Sequence, residues 1–195
     1  CDLRYSVIDK KITNFVSDTI LLTSNIYPAD TMALDNIKVY ISQLKEVLSK
    51  EIGEFSEPIS NLDRDKETLM GNFITDIMLY HSKSEIALIN SDAIRNTIKK
   101  GVFTLKDLRS ILPFENYIVT LKLTGDQIFS IMSRSLTSGY FLQCAGININ
   151  IVNGNIKEIK IGKQLLELQK EYSVVTIDFL AMGGNGYNVF NKARD

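Results

Sequence analysis

Histidine is almost absent from this chain, and that scarcity excludes more than any other feature of its composition. His81 is the only one among 195 residues. Sites for hydrolysis usually draw on histidine as metal ligand or as general base. A lone His81, in Leu79-Tyr80-His81-Ser82-Lys83 at the expected end of a helix, reads instead as a partner for the C-terminal end of the helix dipole. No catalytic residue and no metal ligand is therefore assigned on this chain, and no cofactor is expected in it. Cysteine is nearly as scarce. Cys1 and Cys144 are the only two, which leaves neither a disulfide framework nor a metal-knuckle spacing. Cys144, in Phe141-Leu142-Gln143-Cys144-Ala145-Gly146, reads as a small apolar residue filling a gap in the core. An excess of either charge is also missing. The formal net charge is −1, with no long run of like charges, so binding to long nucleic acid is not expected. No apolar run reaches the ~18 residues of a membrane span, and no charged-then-apolar signal segment opens the sequence.

What is present suffices for a globular core. Hydrophobic residues make up 45% and charged residues 23%, close to ordinary globular usage, and the length fits one domain with a short appendage. Residues 3–23 read as two strands: Leu3, Tyr5 and Val7 alternate with polar residues, and Ile20-Leu21-Leu22 closes the second run. After Pro28 and Asp30, the apolar residues Leu34, Ile37, Tyr40, Ile41, Leu44, Val47 and Leu48 recur at helical spacing. The body beyond alternates helices and short strands. Residues 67–82 are expected to be helical, with Leu69, Phe73, Ile77 and Tyr80 on one face, and residues 85–90 to form a short buried strand. Thr104 with Asp107, and Thr124 with Gln127, carry the spacing of helix caps, with a strand over 117–123 between them. Asn153-Gly154 marks a hairpin between 147–152 and 156–161, and Tyr172 to Ile177 is the last strand. The layout is α+β, with layered helices packed on a mixed β-sheet.

Three loops carry residues better suited to a ligand than to a core. Asn90-Ser91-Asp92-Ala93-Ile94-Arg95 follows the buried strand, where ligands of layered α/β structures usually sit. Asn90 offers a donor and an acceptor, and Arg95 a fork for phosphate or carboxylate. The plainer reading is a surface turn with Asp92 paired to Arg95. In Leu112-Pro113-Phe114-Glu115-Asn116, Phe114 is either an exposed stacking platform or a satellite of the core. Residues 178–187 hold Phe179 and then Gly183, Gly184 and Gly186, which permit close backbone approach to a ligand or simply a tight turn. Two aromatic rings on separate loops can sandwich a flat ring, and each base–aromatic stack is worth about 1–3 kcal/mol.

Taken in order, these segments resemble the C-terminal domain of the 5′-nucleotidase and UDP-sugar hydrolase family. The resemblance runs through Met70-Gly71-Asn72 with Asp76, Ile89-Asn90 with Ile94-Arg95, and Leu112-Pro113-Phe114 with Asn116. It continues through Leu123-Thr124-Gly125 to Phe179-Leu180-Ala181 with Gly183-Gly184 and Gly186-Tyr187. It covers roughly residues 50 to 190.

The resemblance implies a division of labour. An N-terminal metallophosphatase domain, absent here, would hold two divalent metal ions and the catalytic groups. The C-terminal domain would supply the nucleotide pocket, with Phe114 and Phe179 stacking the base. Arg64, Asn90 and Arg95 would face phosphate and ribose, and Asn185 and Gly184 would complete the pocket. Residues 1–54 would be the end of the first domain plus a linker helix, and 55–195 the substrate-binding domain. The implied partners are a nucleotide or nucleoside and the chain's own catalytic domain. The implied protein is a phosphoric monoester hydrolase of the periplasm or cell surface, inactive as this piece alone. Two departures stand out: Asn185 where many members have Asp, and Ser91-Asp92-Ala93 where many have glycines. Two alternatives stay open. One is 2′,3′-cyclic-nucleotide phosphodiesterase or 3′-nucleotidase activity within the same family. The other is a stand-alone nucleotide-binding lipoprotein anchored through Cys1, although a strand-like pattern follows Cys1 rather than a flexible tether.

Overall fold

A computed structural model describes residues 2–23, 25–60 and 63–193. Cys1, on which the lipoprotein alternative rests, lies outside the described residues. The chain divides into two compact units, Cys1–Glu46 and Val47–Asp195. In the first, β1 (Asp2–Ser6) and β2 (Lys11–Val16) form an antiparallel hairpin with Leu3 opposite Phe15. Residues 17–23 are irregular, so the expected strand end at Ile20-Leu21-Leu22 is not formed. The helix α1 (Thr31–Leu48) starts where expected, with the Asp30 carboxylate accepting the Ala33 N–H at 2.9 Å. It crosses the boundary between the units.

The second unit opens with β3 (Glu51–Phe55), followed by α2 (Leu69–Ser82) and β4 (Ile86–Asn90). Then come β5 (Gly101–Thr104), α3 (Leu105–Ile111), β6 (Ile118–Thr124) and α4 (Gly125–Thr137). The strands β7 (Leu142–Ala145), β8 (Ile147–Val152), β9 (Asn155–Ile161) and β10 (Gln164–Leu165) run in succession. Finally, β11 (Glu171–Ile177) leads into the short helix α5 (Asp178–Ala181). The central sheet has the order β6-β11-β4-β7. It is mixed, because β11 runs parallel to β4 but antiparallel to β6, and β4 runs antiparallel to β7. A second sheet has the order β10-β9-β8, and β3 pairs with β5. The architecture is α+β, as the pattern of elements implied.

Local chemistry explains why these elements start and stop here. The Thr104 hydroxyl accepts the Asp107 N–H at 3.4 Å while the Asp107 carboxylate accepts the Thr104 N–H at 2.9 Å. Thr124 and Gln127 repeat the arrangement at the head of α4. Asn153 and Gly154 take φ of 52° and 76°, the left-handed pair that a two-residue hairpin turn requires. All five residues of β4 are buried, so this strand needs a layer on both faces. His81 does sit in the last turn of α2.

Two expectations need correction. The face of α2 turned to the core is not the one bearing Leu69, Ile77 and Tyr80, which are exposed. It carries Met70, Ile74 and Met78, together with Gly71 and Thr75. The two stripes are one residue out of phase, and both are apolar, so periodicity alone did not separate them. The strands β3, β5, β7 and β10 carry no alternation strong enough to read; β10 has only two residues, and the other three are stabilised by partners distant in sequence, with Gly53 opposite Phe103 and Ala87 opposite Ala145. Burial in β7 pushes the Cys144 thiol up to about 12, with the nearby charge of Glu67 adding to the effect.

Met70→Ala, at a site with no exposure, is expected to destabilise the chain by about 2–5 kcal/mol in urea denaturation. Leu69→Ala, one residue away and 71% exposed, should change it by less than about 0.5 kcal/mol. Equal effects would mean the wrong face has been assigned to the core. Alkylation of Cys144 by iodoacetamide at pH 8 should be negligible in the native chain and become rapid in denaturant, as read by mass spectrometry.

Candidate functional site

The site follows from strand directions. β4 and β11 run parallel, so their C-terminal ends lie at the same edge of the sheet. β6 runs antiparallel to β11, with Ile118 opposite Ile177, so its N-terminal end joins them there. Three loops consequently leave one edge together: Asn90 onward from β4, residues 112–117 into β6, and Asp178 onward from β11. The Asp178 N–H donates to the Tyr117 carbonyl at 2.9 Å and ties the second loop to the third. The loops enclose a cavity of about 290 Å³ lined by Asn90, Asp92, Ala93, Arg95, Phe114, Asn116, Ile177, Phe179 and Asn185. A neighbouring cavity of about 340 Å³ shares Phe114 and Asn116. Its other walls are apolar, including Ile74, Ile98 and Leu108, so it offers little to orient a polar ligand.

Five of the seven residues singled out in the sequence meet in the smaller cavity: Asn90, Arg95, Phe114, Phe179 and Asn185. Phe114 and Phe179 are 48% and 44% exposed, so neither is a core residue. The Arg95 guanidinium lies over the Phe114 ring, 5.2 Å from its centroid, and does not pair with Asp92. Arg64 lines no part of the cavity. Its guanidinium instead pairs at 3.2 Å with Asp92, which does. Gly184 stands behind Phe179 rather than in the wall: a Cβ placed on it would lie 2.5 Å from the Phe179 ring and from the Phe179 carbonyl oxygen. The glycine thus lets the chain fold back against the ring.

The polar end is held from below. Asn90 is 4% exposed, and its Nδ2 donates to Asn185 Oδ1 at 3.2 Å. Its own Oδ1 is buried and has no partner. An unpaired buried acceptor carries a desolvation cost that a donor from a ligand would remove. The next residue is anchored twice over. Ser91 donates from both its N–H and its hydroxyl to the Phe141 carbonyl, at 3.0 and 2.9 Å. Gln143, fully buried in β7, donates from Nε2 to Ser91 Oγ at 3.0 Å and to the Lys66 carbonyl at 2.8 Å, while Oε1 accepts from the Thr68 N–H. Sequence reading missed Gln143, and a single Gln in a short strand carries no signal of this role. It also left Asn116 and Asp92 out of the cavity wall, although both stand in the loops it singled out.

Gly184→Ala is expected to leave the circular dichroism spectrum unchanged while shifting the Phe179 ring resonances, because the added methyl meets that ring. Unmoved ring signals would mean that Phe179 does not pack against Gly184.

Residues 43–192 match the family described as 5′-nucleotidase, C-terminal domain. The chain is 27% identical over 165 residues to a 5′-nucleotidase of Vibrio vulnificus, covering 81% of this chain and 30% of that protein. It is 32% identical over 188 residues to a trifunctional nucleotide phosphoesterase of Bacillus subtilis, covering 85% of this chain and 13% of that protein. Its fold matches the crystal structure of a 5′-nucleotidase precursor from Thermus thermophilus with a TM-score of 0.75 at 25% identity, over 98% of this chain and 41% of that one. The chain therefore spans a third or less of the length of these curated relatives. With a family match over residues 43–192, most of its length, the chain belongs to the 5′-nucleotidase C-terminal domain family.

Proposed function

We propose that this chain is the nucleotide-recognition domain of a larger phosphoester hydrolase, holding the base between Phe114 and Phe179. The observation that carries the reading is the single cavity of about 290 Å³ bounded by both rings and by Asn90, Arg95 and Asn185. A cavity of that size accepts a base and part of its sugar. Stacking would supply most of the affinity at about 1–3 kcal/mol per base. The unpartnered Asn90 Oδ1 would accept a hydrogen bond from the ligand, Asn185 would face the sugar, and Arg95 would attract a phosphate. Arg64 would act at one remove through Asp92, and Gly184 by seating Phe179.

Hydrolysis would belong to a metallophosphatase domain preceding this one, where two divalent cations supply an activated water and polarise the phosphate. This chain's contribution is then orientation, presenting the ester at a fixed distance from that centre. Residues 1–54 would be the end of that domain with the linker helix, and 55–195 the substrate-binding domain. The whole protein would be an exported phosphoric monoester hydrolase of the periplasm or cell surface, and the isolated chain would not turn over substrate. One feature favours a second reading within the family. Asp92 occupies Arg64 and adds a negative charge to the cavity wall. That arrangement suits a singly charged 2′,3′-cyclic phosphodiester better than a doubly charged monoester.

The test is an NMR titration of the 195-residue chain with adenosine, AMP, 2′,3′-cyclic AMP, uridine and UDP-glucose. Saturable shifts are expected around Phe114 and Phe179 at millimolar affinity, and they should vanish in Phe179→Ala. Cyclic AMP binding more tightly than AMP would favour the second reading. No saturable shift with any of the five would remove the recognition role.

A further inference from the structure

The loop that carries Asn185 is held by a residue outside the cavity. Asn185 has φ 54°, in the left-handed region that asparagine tolerates better than most non-glycine residues. Its backbone carbonyl accepts a hydrogen bond from Arg134 Nη2 at 2.9 Å. Arg134 lies near the end of α4, and its guanidinium sits over the fully buried Tyr187 ring, 5.4 Å from the centroid. The Tyr187 side chain is fixed in turn by a short hydrogen bond from its hydroxyl to the Tyr140 carbonyl. Gly186 leaves the space that the guanidinium uses: a Cβ there would lie 2.4 Å from Arg134 Nη2. On the other side of the loop, Asn185 Oδ1 accepts from Asn90 Nδ2. A continuous path thus runs from α4 through the guanidinium and the Asn185 peptide to the buried amide at the end of β4.

We propose that Arg134 is a positioning residue for the pocket, and that its charge-assisted bond to the Asn185 carbonyl sets where the Asn90–Asn185 amide pair presents its free donor and acceptor. The inference rests on the reading of the cavity as a nucleotide pocket for its effect on binding, but not for its effect on the loop. The guanidinium suits the task because its planar fork can lie flat on Tyr187 while one N–H points at the carbonyl. Lysine offers a point charge without that plane. Arg134 acts through Asn185 and does not touch the cavity.

The test uses the 195-residue chain with Arg134→Met and Arg134→Lys. In the ligand-free protein, Arg134→Met should shift the Asn185 and Gly186 backbone signals and the Asn90 side-chain amide, while the Phe114 loop stays in place. Adenosine affinity should fall by about tenfold, the scale of one lost hydrogen bond to a charged group. Arg134→Lys should recover part of both effects, with melting temperatures close to the parent. Unmoved Asn90 and Asn185 signals overturn the proposal, as does unchanged adenosine affinity where the parent binds. General loosening would move the Phe114 loop as well, and that outcome also counts against it. If the parent binds no nucleoside, the recognition role fails, and the ligand-free signals alone decide the place of Arg134. Should Arg134→Met fail to fold, the same shifts in Arg134→Lys decide the matter.

Discussion

Everything at the candidate site depends on the position of β11 between β4 and β6. Parallel pairing with β4 brings two strand ends to one edge of the sheet, and antiparallel pairing with β6 adds a strand start beside them. Backbone hydrogen bonds fix that register, and a slip of one residue would send every side chain to the opposite face. Phe114 and Phe179 are 65 positions apart in the chain, yet they bound one cavity because Ile118 and Ile177 are partners across the ladder. The cavity is thus a property of sheet topology more than of any loop's own conformation.

The polar side of the site shows how a buried amide is kept in place. Asn90 shares a hydrogen bond with Asn185 and retains one unsatisfied oxygen, a state that persists only where the surrounding structure is over-determined. Here the support comes from Gln143, which joins three chain segments with its two side-chain groups, and from the paired bonds of Ser91 to Phe141. Two exposed arginines nearby behave differently. Arg95 is free to lie on Phe114, whereas Arg64 is drawn to Asp92, so the positive charge near the cavity is less than a count of arginines implies. Exposed pairs of this kind contribute little to stability, about 0–1 kcal/mol.

The chain belongs to the 5′-nucleotidase C-terminal domain family. Among the described residues no group of three or more His, Cys, Asp or Glu is placed to hold a metal ion, and no helix is long and apolar enough to cross a membrane. The chain covers only part of its relatives, so the chemistry assigned to the whole protein stands as a proposal about a longer polypeptide.

Sequence alone determined whatever rests on neighbouring residues. The capping pairs Thr104–Asp107 and Thr124–Gln127, the Asn153-Gly154 hairpin and the buried run of β4 are all local signals, and each stands as read. The five cavity residues were legible too, as loop residues and through the family resemblance, though not as neighbours. Tertiary structure alone decided which of two apolar stripes of α2 faces the core, that Asp92 takes Arg64 rather than Arg95, that Gly184 backs Phe179, and that Arg134 grips the Asn185 loop. The physical reason is distance along the chain. Caps and turns are settled within four residues by backbone sterics and side-chain hydrogen bonds, whereas these contacts exist only once the pairing of distant strands has brought their partners together.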